Sequence, residues 1–151
     1  ENEISENLIT KNHVIARLGL MYGFNLNQRS NFFDTLCLAL KNQTPVPLYG
    51  DQFRSMMSVV NTSECLLELA QNNYNGILHV AGPEKISRYE FGLRLAQHLK
   101  RPSKVLSQVT MADVATHAKR PADVTLDISL TRNILKTPLL GLNEGLRQIF
   151  P

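Results

Sequence analysis

Two short apolar runs, residues 13–20 and 77–81, are the only stretches of this chain that read as buried strands, and helical patterns lie before, between and after them. Strand alternating with helix predicts a parallel or mixed sheet, because a parallel return needs a long crossover where an antiparallel one needs only a tight turn. The second run, Ile77-Leu78-His79-Val80-Ala81, follows the turn cluster Asn73-Tyr74-Asn75-Gly76 and stops at Gly82-Pro83, residues that favour turns. Two buried strands do not build a doubly wound domain. The prediction is therefore an α/β chain that contributes part of a larger sheet.

Weaker elements fill the intervals. Ile4, Leu8 and Ile9 recur at helical spacing within residues 1–12, so the first strand is fed by a helix. An opening without a complete element predicts that the chain begins inside a larger unit. Residues 21–30 form a loop behind the first strand, where open α/β sheets place their ligands, with Asn31 at its far side. Phe32, Phe33, Leu36, Cys37 and Leu40 then make the apolar stripe of a helix running to Asn42, capped by Ser30. Pro45 and Pro47 confine residues 46–49 to an edge strand, since proline offers no ladder donor. Residues 50–55 read as loop and 57–60 as a short extended piece. Asn61 and Glu64 have the spacing that caps a helix over 65–71. Ser87 and Glu90 repeat that spacing and open the clearest helix in the chain, ended by Arg101-Pro102. A strand over 104–109, a brief helix from Thr110 to His117, and closing helices over 131–135 and 143–149 complete the prediction.

Charge and composition exclude several classes. The net charge is +3 and the basic residues are scattered apart from Lys100-Arg101 and Lys119-Arg120, so no nucleic-acid stripe is present. No apolar run approaches the ~20 residues that span a bilayer, and residues 1–11 are too polar and acidic for a signal peptide. These features predict a cytoplasmic protein with no membrane partner. Cys37 and Cys65 sit in apolar helical patterns and read as free thiols, and the four histidines show no ligand spacing, so no metal is expected.

The stretch Arg120-Pro121-Ala122-Asp123 carries the most chemistry, with Arg54 as its expected partner. Guanidinium groups present planar forks of donors that suit phosphate, while a carboxylate accepts from sugar hydroxyls. Alone, Arg120 and Asp123 could equally be a solvated loop pair that contributes little. The chain has no G-x-x-G-x-x-G loop and no Tyr followed four residues later by Lys. It cannot hold a dinucleotide by the usual means.

The motifs Arg17-Leu18-Gly19-Leu20-Met21-Tyr22-Gly23, Asn31-Phe32, Leu48-Tyr49-Gly50-Asp51-Gln52, Gly76 to Gly82, Ser87-x-Tyr89-Glu90-Phe91, Arg120-Pro121-x-Asp123 and Leu126-Asp127 occur in this order. In that order they resemble the C-terminal half of extended short-chain dehydrogenases acting on nucleotide-sugars, most of all the dTDP-4-dehydrorhamnose reductase family. The resemblance covers essentially the whole chain and implies one unit, residues 1–151, forming the last strands of a Rossmann-type fold plus a small substrate-binding lobe. By the family's pattern Arg54, five residues before Val59, and Arg120 would grip the substrate diphosphate. Asp123 would approach the nucleotide ribose, Asn31 would line the diphosphate site and Tyr49 would border the base. Met56-Met57 stands where the reductase branch has Pro-Thr, and Asn61 where the superfamily has a helix-opening Asp.

The implied activity is NAD(P)-dependent reduction of a 4-keto sugar on a nucleoside diphosphate. The alternatives are a nucleotide-sugar epimerase or dehydratase of the same superfamily, or a non-catalytic regulatory or scaffold member. NAD or NADP is expected in the complete protein and no cofactor on this chain alone, whose start falls just behind the place of the family's catalytic Lys. The expected partners are a nucleoside-diphosphate sugar and an N-terminal dinucleotide-binding half or a chain supplying it; a homodimer is compatible with this.

Overall fold

The computed structural model describes residues 13–25, 30–114 and 120–151. The expected opening helix over 1–12 lies outside them, as do the last three residues of the helix expected from Thr110 to His117; the described part of that stretch, residues 111–114, forms a turn and not a helix. The fold is α/β, as expected. In chain order the elements are β1 (Val14–Leu18), β2 (Leu20–Tyr22), α1 (Phe32–Asn42), β3 (Val46–Tyr49), β4 (Phe53–Ser58), α2 (Val59–Ala70), β5 (Gly76–Val80), β6 (Lys85–Ser87), α3 (Arg88–His98), β7 (Leu106–Val109), α4 (Ser129–Ile134) and α5 (Leu142–Ile149). β1 pairs with β5, β2 with β4, and β3 with β7, all parallel, while β6 joins β4 antiparallel.

The first apolar run is two strands, not the one buried strand its sequence predicts. Gly19 divides it, donating its N–H to Val80 O at 2.9 Å. A Cβ at Gly19 would meet Ser55 O at 2.3 Å and the Ala81 Cβ at 2.7 Å, so only glycine lets the chain leave β5 and join β4 there. β1 is half-buried at best, with Arg17 and Leu18 exposed, because β5 is its one strand partner among the described residues.

Caps account for the other shifts. Asn31, not Ser30, caps α1: its Oδ1 accepts from Asp34 N at 2.8 Å, and the Asp34 carboxylate accepts from Asn31 N in return. The expected short extended piece and its Asn61 cap are replaced by a six-residue β4 and a helix beginning at Val59, with Ser58 Oγ accepting from Asn61 N at 3.1 Å. Val59 and Val60 read as strand, but they fill the first turn of a helix, where N–H groups have no intrahelical partner, and Ser58 Oγ takes the N–H of the third residue of that turn, Asn61. Asn61 is fully buried, donating to Pro138 O and accepting from Leu140 N. α3 starts as expected, Ser87 Oγ accepting from Glu90 N at 3.1 Å, though the Glu90 carboxylate turns to Arg94 instead of closing a box. The strand expected over 104–109 begins with a 3₁₀ turn at Ser103–Val105, which shortens β7.

The larger apolar cluster gathers Phe33, Leu36, Phe91, Leu95, Leu142 and Leu146 between α1, α3 and α5, with Tyr22 edge-on to Phe91 at 5.1 Å. A smaller cluster of Met57, Cys65, Leu69, Leu78, Val80 and Leu135 joins α2 to β5.

Candidate functional site

The candidate site is built around the start of β4. Phe53 pairs with Ser87 of β6 on one side. On the other it forms a parallel bridge to Asp123, with Phe53 N donating to Ala122 O at 2.7 Å and Val124 N donating to Phe53 O at 3.3 Å. Leu126 N extends this docking by donating to Ser55 Oγ at 3.1 Å. A stretch that reads as loop is thus laid along β4 by backbone hydrogen bonds, which fixes Arg120 relative to Arg54.

Arg54 is half-buried, and its Nη1 donates to Phe53 O at 2.6 Å and to Ala122 O at 3.4 Å. Arg120 is exposed, two residues before Ala122. Between β6 and α1 stands Arg88, the first residue of α3, with its Cζ 4.6 Å from the centre of the Phe32 ring. Burial lowers the pKa of Arg88, and the positive fields of Arg54 and Arg120 lower it further, while Tyr49 opposes them. Arg54, Arg120 and Tyr49 therefore all lie within electrostatic reach of one side chain. Among the described residues no carboxylate forms an ion pair with Arg54, Arg88 or Arg120.

Asp123 is engaged elsewhere. Its Oδ2 accepts from Lys85 Nζ at 2.5 Å and its Oδ1 from the Thr125 N–H at 2.9 Å and hydroxyl at 2.8 Å. The Lys85 ammonium also sits 4.7 Å from the centre of the Phe53 ring. The Lys85 hydrogen bond first, and the two from Thr125 next, hold the Asp123 pKa down at about 2. A carboxylate has about four lone-pair sites, so roughly one remains for a ligand. Asn31 is similarly committed: beyond its cap, Nδ2 donates to Gly23 O at 3.0 Å, which leaves one amide hydrogen over. Tyr49 ends β3, and Phe32, next to Asn31, is the ring under Arg88.

Beside Arg54 opens a cleft of about 420 Å³ lined by Leu18, Gly19, Leu20, Arg54, Val124 and Leu126. Apolar walls with one guanidinium are the usual make-up of a small-molecule site.

Residues 1–150 match the family model described as the RmlD substrate binding domain. The chain belongs to this family. No curated protein matches it by sequence. Among solved structures it is similar to a Bacillus anthracis dTDP-4-dehydrorhamnose reductase in complex with NADP, at 22% identity and a TM-score of 0.79, covering 91% of this chain and 47% of that one. A hypothetical dTDP-4-dehydrorhamnose reductase from Sulfolobus tokodaii shares 29% identity at a TM-score of 0.72, again over 91% and 47%. UDP-glucuronic acid 4-epimerase from Bacillus cereus, in complex with UDP-glucuronic acid and NAD, shares 19% at 0.70, over 99% and 47%. The chain spans about half the length of the solved structures it matches. Its fold is that of the substrate-binding half of extended short-chain dehydrogenases.

Within this RmlD-type domain, sequence reasoning missed Arg88 and Lys85. Arg88 fills the position left open in Ser87-x-Tyr89-Glu90-Phe91, and its signal is a cation at the first position of a helix, the wrong sign for the helix dipole. Lys85 has no local signal, since β6 is three residues long and exists through its pairing with β4.

Proposed function

We propose that this domain binds a nucleoside-diphosphate sugar for an NAD(P)-dependent reduction of a 4-keto group. The observation that carries the reading is the gathering of Arg54 and Arg120 around one half-buried guanidinium with no paired carboxylate among the described residues. Like charges in a cleft repel, and an anionic ligand offsets that cost. In this reading Arg54 and Arg120 take the diphosphate, Asp123 offers its remaining acceptor site to the ribose, Tyr49 borders the base, and Asn31 offers its spare amide hydrogen to the diphosphate. The cofactor, NAD or NADP, supplies hydride when bound to a dinucleotide-binding half; the residues of this chain offer no glycine cradle for it, and no step of hydride transfer is assigned to them. Their contribution is to bind and orient the sugar nucleotide.

The test is calorimetry on the full-length protein with a nucleoside-diphosphate sugar. Arg54→Ala and Arg120→Ala should each weaken binding by about 1.5–3 kcal/mol, the range for a charged hydrogen bond, with cofactor affinity unchanged. Lysine at either position should restore only part, since an ammonium lacks the bidentate fork. Equal affinity in wild type and both variants sinks the reading. A second reading, epimerisation, draws on the likeness to the UDP-glucuronic acid 4-epimerase. Product analysis separates the two: net NAD(P)H oxidation belongs to a reductase, and turnover without net cofactor change to an epimerase.

A further inference from the structure

We infer that Arg88 is a third anion-binding residue of this site, completing with Arg54 and Arg120 a three-sided grip on a diphosphate. The inference rests on the nucleotide-sugar reading above and adds to it a residue that none of the matched motifs specifies. Its first support is the backbone. Phe53 lies between Ser87 on β6 and Asp123 on the docked segment. Arg88 directly follows β6 as the first residue of α3, and Arg120 lies three residues before the bridge, so the two come from the segments on either side of the one carrying Arg54. Adjacent strands lie about 4.8 Å apart, so the two segments that lead to Arg88 and Arg120 are separated by roughly 10 Å where they flank Phe53. An anion with two phosphates extends across that width better than one with a single phosphate.

The second support is how Arg88 is held. Its guanidinium lies over the Phe32 ring at 4.6 Å, a cation–π contact that fixes the head and leaves its donor edge for another group. Preorganised donors lose less entropy on binding. Phe32 follows Asn31, whose side chain ties the start of α1 to Gly23 O, so the ring is itself anchored.

The third support is the electrostatic cost. Arg88 is half-buried at the positive end of the eleven-residue α3, beside two other guanidinium groups. The nearby acids are committed: Asp123 to Lys85, and Glu84 and Glu90 to Arg94. Nothing in the described residues neutralises Arg88, whereas a bound diphosphate would.

The test is calorimetric titration of the full-length protein with thymidine diphosphate, inorganic pyrophosphate and thymidine monophosphate, with thermal unfolding of the ligand-free protein alongside. Arg88→Met keeps a flexible apolar stem on Phe32 and removes the charge. It should weaken diphosphate and pyrophosphate binding roughly tenfold to a hundredfold, the equivalent of one charged hydrogen bond, and monophosphate binding far less. Ligand-free melting should hold or rise, because a repelling charge has gone; a purely structural Arg88 would instead lower it. Arg88→Lys should recover only part of the affinity. Unchanged diphosphate affinity in Arg88→Met, with Arg54→Ala impaired, overturns the inference and leaves the site reading standing. Unchanged affinity in both variants overturns the two together. Should Arg88→Met fail to fold, Arg88→Gln is read against the same outcomes.

Discussion

The larger apolar cluster and the smaller one are built from similar residues and differ in what lies over them. Around Phe91 the rings of Tyr22, Phe32 and Phe33 stand 5.1–6.4 Å away, and three helices bring their apolar stripes to the same layer. Around Leu78 the cover is one-sided. Leu78 and Val80 of β5 point into the cluster under α2, while the alternate residue Ile77 is 39% exposed and Leu130 of α4 51%. Side chains of a strand alternate between faces, so a parallel pair with apolar residues on both faces is built to be covered twice. The domain thus has one finished layer and one whose outer face, carrying Ile77 and His79 with Leu130 beside them, stays partly open among the described residues. We propose that a dinucleotide-binding half seats on that outer face.

The largest expected effect sets the clusters against each other through one substitution type. Leu95 on α3 and Leu69 on α2 are both buried leucines on inner helix faces. Leu95→Ala leaves a hole among rings that cannot close it and should cost about 4–5 kcal/mol, the upper part of the range for such truncations. Leu69→Ala, in a cluster of six beside a half-exposed sheet, should cost about 2–3 kcal/mol. Equal losses by denaturant unfolding would break the comparison.

A second measurement sharpens it. In this chain alone, amides of β1 should exchange hydrogen well before those of β4, which is paired on both edges. In the full-length protein β1 should become protected to a similar degree. Protection of β1 at the level of global unfolding in the chain alone would contradict the incomplete layer.

What the sequence displayed follows the same division. α3, β3 and β5 are legible because local chemistry alone specifies them: a Ser87 cap, two prolines, an apolar run between turn residues. The start of α2 is not, because Val59-Val60 favours strand and Asn61-x-x-Glu64 offers a rival cap, and only tertiary contacts with Pro138 and Leu140 place Asn61 inside the helix. At the candidate site Arg54 and Arg120 were readable through a motif, but the backbone bridge that docks the Arg120 segment along β4 joins Phe53 to Asp123, a pairing no local pattern announces. Asp123 takes its cation from Lys85, 38 positions away. Arg88 was hidden by occupying a motif's variable position.

The smallest expected effect concerns that charged corner, which should loosen in acid while both apolar clusters hold. Asp123 titrates at about 2 in place of the 3.8 ordinary for an aspartate, held there by Lys85 first and by Thr125 next. A depressed carboxylate stabilises the fold above its unfolded pKa, and that contribution is lost as pH falls through the folded value, here between about 4 and 2. Asp123 is exposed, so solvent screens the pair and the change in stability should be slight; the titration itself is the readout. Carboxyl-carbon NMR should place the Asp123 midpoint near 2 in the wild-type protein. In Lys85→Ala it should rise without reaching the ordinary value, because both Thr125 bonds remain. Asp127, lowered chiefly by its hydrogen bonds with Ser129, is the internal control and should not move. An Asp123 that titrates normally in the wild type would mean that Lys85 does not pin residues 122–126 beside β4, and the register between Arg54 and Arg120 would then need another source.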